Sequence, residues 1–290
     1  MANNKHIIAM KAVLIKSKQN TSNTKPVVKP VVKPVVKLTI KTPAKSSLLV
    51  GCNYINTPYK LYGCINDVNN LNSILTSKYK FNKTVILTDN TTTKPTKTNI
   101  LNNFKNLLIN AKTGDTLFFC FSGHGSQTYD FSGDEKDKLD ELIISGDLKY
   151  IIDDEFNNLL VSHMKDNVKL FILFDSCHSG SMLDLNYQYI DTSNLNKTTI
   201  NSTANNIKGT VVMISGCMDT QTSADAYINN KSQGAMTWSF TNSISVTSPT
   251  KSQTIINIVN NMRNLLVKKG YTQIPQLSSN VNLDNMSLFL

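Results

Sequence analysis

The chain has 290 residues, of which 40% are hydrophobic, and a formal net charge of +10. It is long enough to bury one sizeable core, and its composition is ordinary for a soluble protein, which argues against a membrane-embedded or wholly disordered chain. The charge is unevenly placed: 1–45 contain ten lysines and no acidic residue, while the rest of the chain has 20 basic and 20 acidic residues. The predicted folded part is therefore neutral.

The N-terminal tail, 1–45, contains a Lys-Pro-Val-Val repeat at 25–37. Proline at every fourth position prevents a regular helix and favours an extended, solvated chain, so we predict a disordered basic tail that acts as a spacer. The repeat could instead dock a proline-binding or acidic partner, or hold nucleic acid by charge alone. No aromatic residue lies among the lysines, so specific nucleic-acid binding is not expected.

No segment predicts insertion into a membrane or export. The apolar segment 7–15 is short, is interrupted by Lys11 and lacks a clear small-residue cleavage site, although a basic amphipathic targeting peptide is an alternative. Five cysteines without paired spacing argue against a disulfide framework and against a zinc cluster. We therefore predict a cytoplasmic protein.

Strands and helices alternate along the remainder of the chain. The predicted elements are a strand at 47–52, a helix at 64–77, a strand at 84–87, a helix at 98–111, a strand at 116–121, a helix at 153–164, strands at 168–174 and 210–215, helices at 235–245 and 252–268, and a strand at 276–278. This alternation predicts an α/β fold with a parallel-dominated central β-sheet flanked by α-helices.

Two of the predicted strands are unbroken apolar runs that stop at small residues, and a reactive side chain follows each one. His124 lies in Ser-Gly-His-Gly at 122–125, and Cys177 lies in Asp-Ser-Cys-His-Ser-Gly at 175–180. In parallel sheets, chemistry gathers beyond the carboxyl ends of the strands, so neighbouring strands would bring both side chains to one edge. An imidazole beside a thiol raises the reactive thiolate fraction, which predicts a cysteine nucleophile and its base.

Each of these residues also has an ordinary structural explanation. A single free cysteine is usually a small buried hydrophobe, and a single histidine can be a hydrogen-bonded turn residue. Their matching positions after two strands favour catalysis. In that interpretation, backbone N–H groups at 123–125 and at Cys177 would stabilise a developing oxyanion, with Gly125 and Cys177 as the candidate donors.

The two motifs resemble the histidine and cysteine boxes of the metacaspases, which are caspase-like cysteine proteases. The reactive residues lie 53 positions apart, and the caspase motif Gln-Ala-Cys is absent. Similar segments occur at 50–54, 61–68, 215–225 and 234–237. The resemblance covers about 46–290 and implies a caspase-like sandwich, with 46–190 similar to a caspase large subunit, 209–290 similar to a small subunit, and the tail similar to a type I prodomain.

The resemblance implies a monomeric endopeptidase that cleaves protein or peptide substrates after Arg or Lys. By the family's pattern, the pocket for the basic side chain is lined by Cys64, Asp67, Ser122 and Asp175. Asp175 has separate support: in an extended strand it points to the same side as Cys177, and a carboxylate raises a neighbouring thiol pKa, so a receptor for a substrate cation explains it better. Asp67 could instead be an ordinary surface acid on its helix.

A set of acidic residues is dispersed between 134 and 184. Clustered carboxylates repel one another unless they are solvated or neutralised by a hard cation such as calcium. Spacing alone favours a solvated acidic loop, and no EF-hand spacing is present. Metacaspases are commonly activated by calcium, and the resemblance implies Ca²⁺ as cofactor, with Asp140, Asp153, Asp154 and Asp184 as its ligands.

The polar stretch 191–208 lies where caspases are divided into two subunits. A polar, unstructured loop could be nicked by a protease, and autoprocessing would then occur after Lys197 or Lys208, although an uncut surface loop is equally compatible. Two other functions remain open. One is a scaffold that recruits partners through its basic tail, and the other is a related Arg- or Lys-directed protease that needs no metal.

Overall fold

The computed structural model describes residues 42–129, 139–177, 182–189, 198–201, 204, 206–216, 225–246, 253–283 and 285–289. The Lys-Pro-Val-Val repeat and Lys197 lie outside these ranges. Within them, no helix has the length and apolar character needed to cross a membrane.

Thirteen strands and five helices are formed by the described residues. The strands are β1 (Lys45–Gly51), β2 (Lys83–Thr88), β3 (Thr116–Ser122), β4 (Gly125–Tyr129), β5 (Leu139–Ile144), β6 (Tyr150–Ile152), β7 (Lys169–Asp175), β8 (Tyr187–Tyr189), β9 (Thr199–Ile200), β10 (Thr210–Ser215), β11 (Asp225–Ile228), β12 (Lys231–Gly234) and β13 (Gln276–Ser279). The helices are α1 (Cys64–Ser77), α2 (Lys97–Asn110), α3 (Asp153–His163), α4 (Ala235–Ser245) and α5 (Ile255–Lys268).

The central sheet has eight strands in the order β2-β1-β3-β7-β10-β13-β8-β9. The first five strands in this order are parallel to one another, and β13, β8 and β9 are joined to them by antiparallel pairing. Every residue of β3 is buried, as expected for a strand covered by helices on both faces. The prediction of a parallel-dominated sheet is confirmed.

The helices cover the two faces of this sheet as separate layers. Alternate β3 residues show the division: Phe119 packs in the same apolar cluster as Phe104 of α2 and Phe156 of α3. Phe118, one residue away, packs in the opposite cluster, which includes Phe240 of α4 and residues of α1 and α5. Because successive strand residues point to opposite faces, each face acquires its own core. The result is the predicted α/β sandwich.

Several short elements were not predicted. β4, β5 and β6 form a separate antiparallel sheet, and β11 pairs with β12 in a hairpin. The prediction of 191–208 as an unstructured loop was wrong for β9, which lies within it and pairs with β8. Both residues of β9 are exposed, so the strand has no apolar run that would reveal it in the sequence.

Candidate active site

The register of β3 against β7 places the predicted dyad at one edge of the sheet. Ser122 pairs with Asp175 at the carboxyl ends of the two strands, and the Gly123 N–H donates to the Asp175 carbonyl oxygen at 3.2 Å. His124 and Cys177 each follow two residues beyond this pair. A Cβ atom on Gly125 would overlap the Cys177 carbonyl oxygen, so only glycine permits the two loops to approach this closely.

Four cysteines are described, and they differ in accessibility. Cys52, Cys64 and Cys120 are buried, whereas Cys177 is partly exposed. Burial is the main cause that raises the pKa of Cys52 and Cys120 well above the ordinary thiol value, and the charges of nearby carboxylates add to it. These two thiols therefore stay protonated as well as inaccessible. Among the described cysteines, Cys177 is the one that a substrate can reach.

The imidazole of His124 is held by a backbone carbonyl. Its Nε2 atom lies 2.7 Å from the carbonyl oxygen of Tyr59. A carbonyl oxygen can only accept, so this hydrogen bond requires a proton on Nε2, and in the neutral imidazole Nδ1 is then the acceptor. A general base needs such a free lone pair.

A second tyrosine, Tyr54, contacts the same histidine. The two rings have centroids 4.7 Å apart, and the Tyr54 hydroxyl accepts from the backbone N–H of His124 at 2.8 Å. The hydroxyl donates in turn to the carbonyl oxygen of Ile144 at 2.6 Å. Sequence reasoning gave neither Tyr54 nor Tyr59 a role, because both contacts join residues that lie 65 or more positions apart.

Two of the predicted pocket residues, Asp67 and Asp175, place their carboxylates close to Gly234. Asp67 is 0% exposed and accepts from the Ser122 hydroxyl at 2.8 Å and from the Gly234 N–H at 3.0 Å. Asp175 is 5% exposed, and a Cβ atom on Gly234 would overlap its carboxylate and lie 2.9 Å from that of Asp67. Asp67 is thus not a surface acid. Gly234 lies in the segment 234–237 that resembles the family, but sequence reasoning gave it no role; its lack of a side chain is what allows these carboxylates to approach.

The two acids have different local supports. Asp175 accepts from the backbone N–H of Thr237 at 2.8 Å, in the first turn of α4, where the helix dipole favours a negative charge. Asp67 lies in the first turn of α1, one turn after Cys64, which is buried at the start of that helix. The structure therefore brings Asp67, Ser122 and Asp175 together beside the cysteine loop, with Cys64 next to Asp67 along α1.

A second group of carboxylates, here called the acidic cluster, consists of Asp140, Glu141, Asp153 and Asp184. The first three are buried. Burial is the largest cause that raises the pKa of Asp153 from 3.8 to about 9, and the charges of Glu141, Asp184 and Asp140 raise it further. The backbone N–H of Asp154 donates to Asp153 at 3.0 Å and opposes that rise.

The acidic cluster has the chemistry of a site for a hard cation. Carboxylate oxygens are the ligands that calcium prefers, and a bound cation would relieve the repulsion that raises the Asp153 pKa. The residues are not in a ready coordination geometry: in the described ranges no three His, Cys, Asp or Glu side chains surround one point. Binding would require the carboxylates to draw together. Glu141, which the resemblance did not assign as a ligand, belongs to this group.

Comparison with known proteins connects this geometry to a family. Residues 45–186 match the family model for the metacaspase, peptidase C14 domain. Metacaspase-1 of Kluyveromyces lactis is 36% identical, with 86% of this chain and 69% of that protein aligned. Metacaspase-1B of Neurospora crassa is 38% identical, with 84% of this chain and 68% of that protein aligned.

A solved structure shares the fold. The crystal structure of a protein from Geobacter sulfurreducens has a TM-score of 0.61 at 22% identity and covers 85% of this chain and 97% of that chain. That likeness shows the architecture alone, whereas the aligned relatives show descent. The chain belongs to the metacaspase family of cysteine proteases and has their caspase-like α/β fold.

Proposed function

We propose that this chain is a calcium-dependent endopeptidase that cleaves proteins after Arg or Lys through Cys177 and His124. The observation that carries the proposal is the pairing of Ser122 with Asp175. This single register brings the predicted nucleophile, its base and a buried carboxylate to the same edge of the sheet. A scaffold without catalysis would not require that arrangement.

The proposed reaction uses the free lone pair of His124. Nδ1 accepts the Cys177 proton, and the thiolate attacks the substrate carbonyl carbon to form a tetrahedral oxyanion. The backbone N–H groups of Gly125 and Cys177 are the proposed oxyanion donors, and the contact of Gly125 with the Cys177 carbonyl supports their proximity. Collapse forms a thioester as the imidazolium protonates the leaving amine. Water then hydrolyses the thioester.

Specificity for Arg and Lys is proposed from the buried carboxylates. Asp67 and Asp175 are ionisable groups in a low-dielectric region, where a substrate cation would be strongly favoured over a neutral side chain. A guanidinium can bind carboxylates in a bidentate manner, so Arg should be preferred to Lys while both are cleaved.

Calcium control is proposed from the acidic cluster, with Asp140, Asp153, Asp154 and Asp184 as the ligands implied by the family and Glu141 as an added candidate. When bound, the cation would supply positive charge that neutralises these carboxylates. Because the pKa of Asp153 is raised to about 9, this residue is protonated at neutral pH, and binding a cation would release its proton.

Autoprocessing is a further part of the proposal. Lys208 is 65% exposed at its side chain, and its ion pair with Asp166 is long, at 3.9 Å. An exposed ion pair of this length contributes little to stability, so Lys208 is free to enter an active site. Cleavage there would separate β9 from β10.

The test is turnover of matched peptides that carry Arg, Lys or citrulline before the cleaved bond, with calcium or with a chelator. Citrulline keeps the shape of arginine and removes its charge. Wild type should cleave the Arg and Lys peptides only with calcium, and Cys177→Ala and His124→Ala should be inactive. Asp67→Asn should lose the preference for Arg over citrulline, whereas Asp166→Asn, the same change at an exposed acid, should keep it.

The alternatives give different results. Equal turnover in chelator would establish a metal-independent protease. No turnover of any basic peptide would favour the scaffold, and activity in Cys177→Ala would remove the nucleophile from the proposal.

A further inference from the structure

Tyr54 connects the backbone of the proposed catalytic histidine to a neighbouring sheet. Its side chain is 1% exposed, and its hydroxyl lies between the His124 N–H, at 2.8 Å, and the Ile144 carbonyl, at 2.6 Å. The Ile144 N–H also donates directly to the His124 carbonyl at 3.0 Å. Both backbone polar groups of His124 are therefore tied to Ile144, one directly and one through Tyr54.

Ile144 is itself held in place by the small antiparallel sheet. It is the last residue of β5, the middle strand of the small antiparallel sheet, and β5 pairs with β4 on one side and β6 on the other. A group that is hydrogen-bonded into a middle strand has little freedom to move.

The loop that carries Tyr54 holds the imidazole at a second point. Tyr59, five residues later, accepts from Nε2 of His124. The loop itself is closed by the Leu61 N–H, which donates to the Asn53 carbonyl at 2.9 Å, and by the Asn53 N–H, which donates to Asp89 at 2.6 Å. One loop therefore contacts His124 at two points: Tyr54 accepts from its backbone N–H, and the Tyr59 carbonyl accepts from its ring.

We propose that Tyr54 is a positioning residue for catalysis, whose hydroxyl fixes the His124 backbone against β5 and so holds the imidazole in line with Cys177. This inference rests on the proposed function, because it assigns His124 the role of base. Burial raises the pKa of Tyr54, so the hydroxyl keeps the proton that it donates to Ile144. Its lone pairs remain available to the His124 N–H.

Tyr54→Phe isolates the hydroxyl. Phenylalanine keeps the ring that packs against the imidazole but leaves the His124 N–H without the acceptor that Tyr54 provides and the Ile144 carbonyl without that donor. The histidine backbone then gains freedom to move, and small displacements of a catalytic group have large effects on rate.

Tyr189→Phe is the matched control. Tyr189 is also 1% exposed, and its hydroxyl also accepts from a backbone N–H, that of Leu283 at 2.8 Å, and lies 3.3 Å from the side-chain oxygen of Asn282. It lies on β8, on the far side of the sheet order from β3 and β7. Removing it should weaken the fold without changing the histidine.

The experiment compares both variants with wild type and His124→Ala under calcium, below the unfolding transition of each. For Tyr54→Phe we expect kcat to fall about 10- to 100-fold with KM nearly unchanged. The pH profile of Cys177 alkylation, followed by intact mass, should shift toward that of His124→Ala. Amide exchange in the peptide that contains His124 should accelerate. Tyr189→Phe should match wild type in all three measurements.

The outcomes separate this inference from the proposed function. If His124→Ala is inactive while Tyr54→Phe keeps the wild-type kcat and alkylation profile, the positioning role is wrong and the dyad stands. If His124→Ala is fully active, the proposed function fails first. A lower kcat in Tyr54→Phe with an unchanged alkylation profile, or an equal loss in Tyr189→Phe, would show a general effect on the fold and overturn the role.

Discussion

Asp153→Asn should make the calcium-free protein more stable at neutral pH. Asp153 is buried beside three other carboxylates, and burial followed by their charges raises its pKa from 3.8 to about 9. Asparagine has nearly the same shape and is neutral at every pH. The change therefore removes the free-energy cost of protonating Asp153 on folding, while it preserves the packing at the start of α3.

The size of the effect follows from proton linkage. Between pH 3.8 and about 9, the unfolded chain releases the Asp153 proton while the folded chain retains it, so stability falls as the pH rises. The effect is absent below pH 3.8 and complete above the folded pKa. Each pH unit corresponds to about 1.4 kcal/mol. Through Asp153 alone, the free energy of unfolding of the wild type should therefore be about 4 kcal/mol lower at pH 7 than below pH 3.8.

The assay is urea unfolding in a chelator at a series of pH values. The stability advantage of Asp153→Asn over wild type should grow steadily from acid to neutral pH. Asp166→Asn, a control at an exposed carboxylate, should run parallel to wild type. Calcium should raise the stability of wild type more than that of Asp153→Asn. Parallel curves for wild type and Asp153→Asn would refute the reasoning, because they would show that the cluster imposes no charge penalty.

Two other substitutions test the two ends of α4, where Gly234 precedes the helix and Ser245 is its last residue. Gly234→Ala should lower turnover of arginyl peptides about 100-fold or more, because the new methyl group displaces the Asp175 carboxylate, while alkylation of Cys177 by a small reagent persists; unchanged turnover would contradict the pocket. Lys78→Met should reduce the free energy of unfolding by about 1 kcal/mol without altering turnover, since Lys78 donates to the Ile244 and Ser245 carbonyls at the end of α4. Equal melting temperatures would contradict that contribution.

Features encoded by local patterns could be predicted from the sequence. The bounds of α1 and α4 agree with the predicted helices at 64–77 and 235–245. The β3 and β7 runs were recognisable because they are apolar throughout, and their small-residue ends located His124 and Cys177. Parallel pairing then follows from the alternation of strands with helices.

Features that depend on distant contacts could not be predicted. The Gly234 N–H donates to Asp67, which lies 167 positions away in the sequence, and the Tyr54 hydroxyl donates to the Ile144 carbonyl, 90 positions away. β12 has no apolar residue, and β5 combines two acidic residues with four apolar ones without regular alternation. Neither short strand shows a clear periodicity in the sequence, so its position depends on partners elsewhere in the fold. The carboxylate ligands implied by family resemblance remain a prediction. The burial of Glu141 could not be predicted, because it depends on the packing of β5 against α3.

The most direct test of the dyad is covalent labelling of the intact chain. A peptide ending in an arginyl chloromethyl ketone should add once, at Cys177, in the presence of calcium, and His124→Ala should slow that reaction by orders of magnitude. Cys177→Ala should remain unlabelled. Labelling at another cysteine, or equal rates with and without His124, would contradict the claim that the two strand ends form one catalytic site.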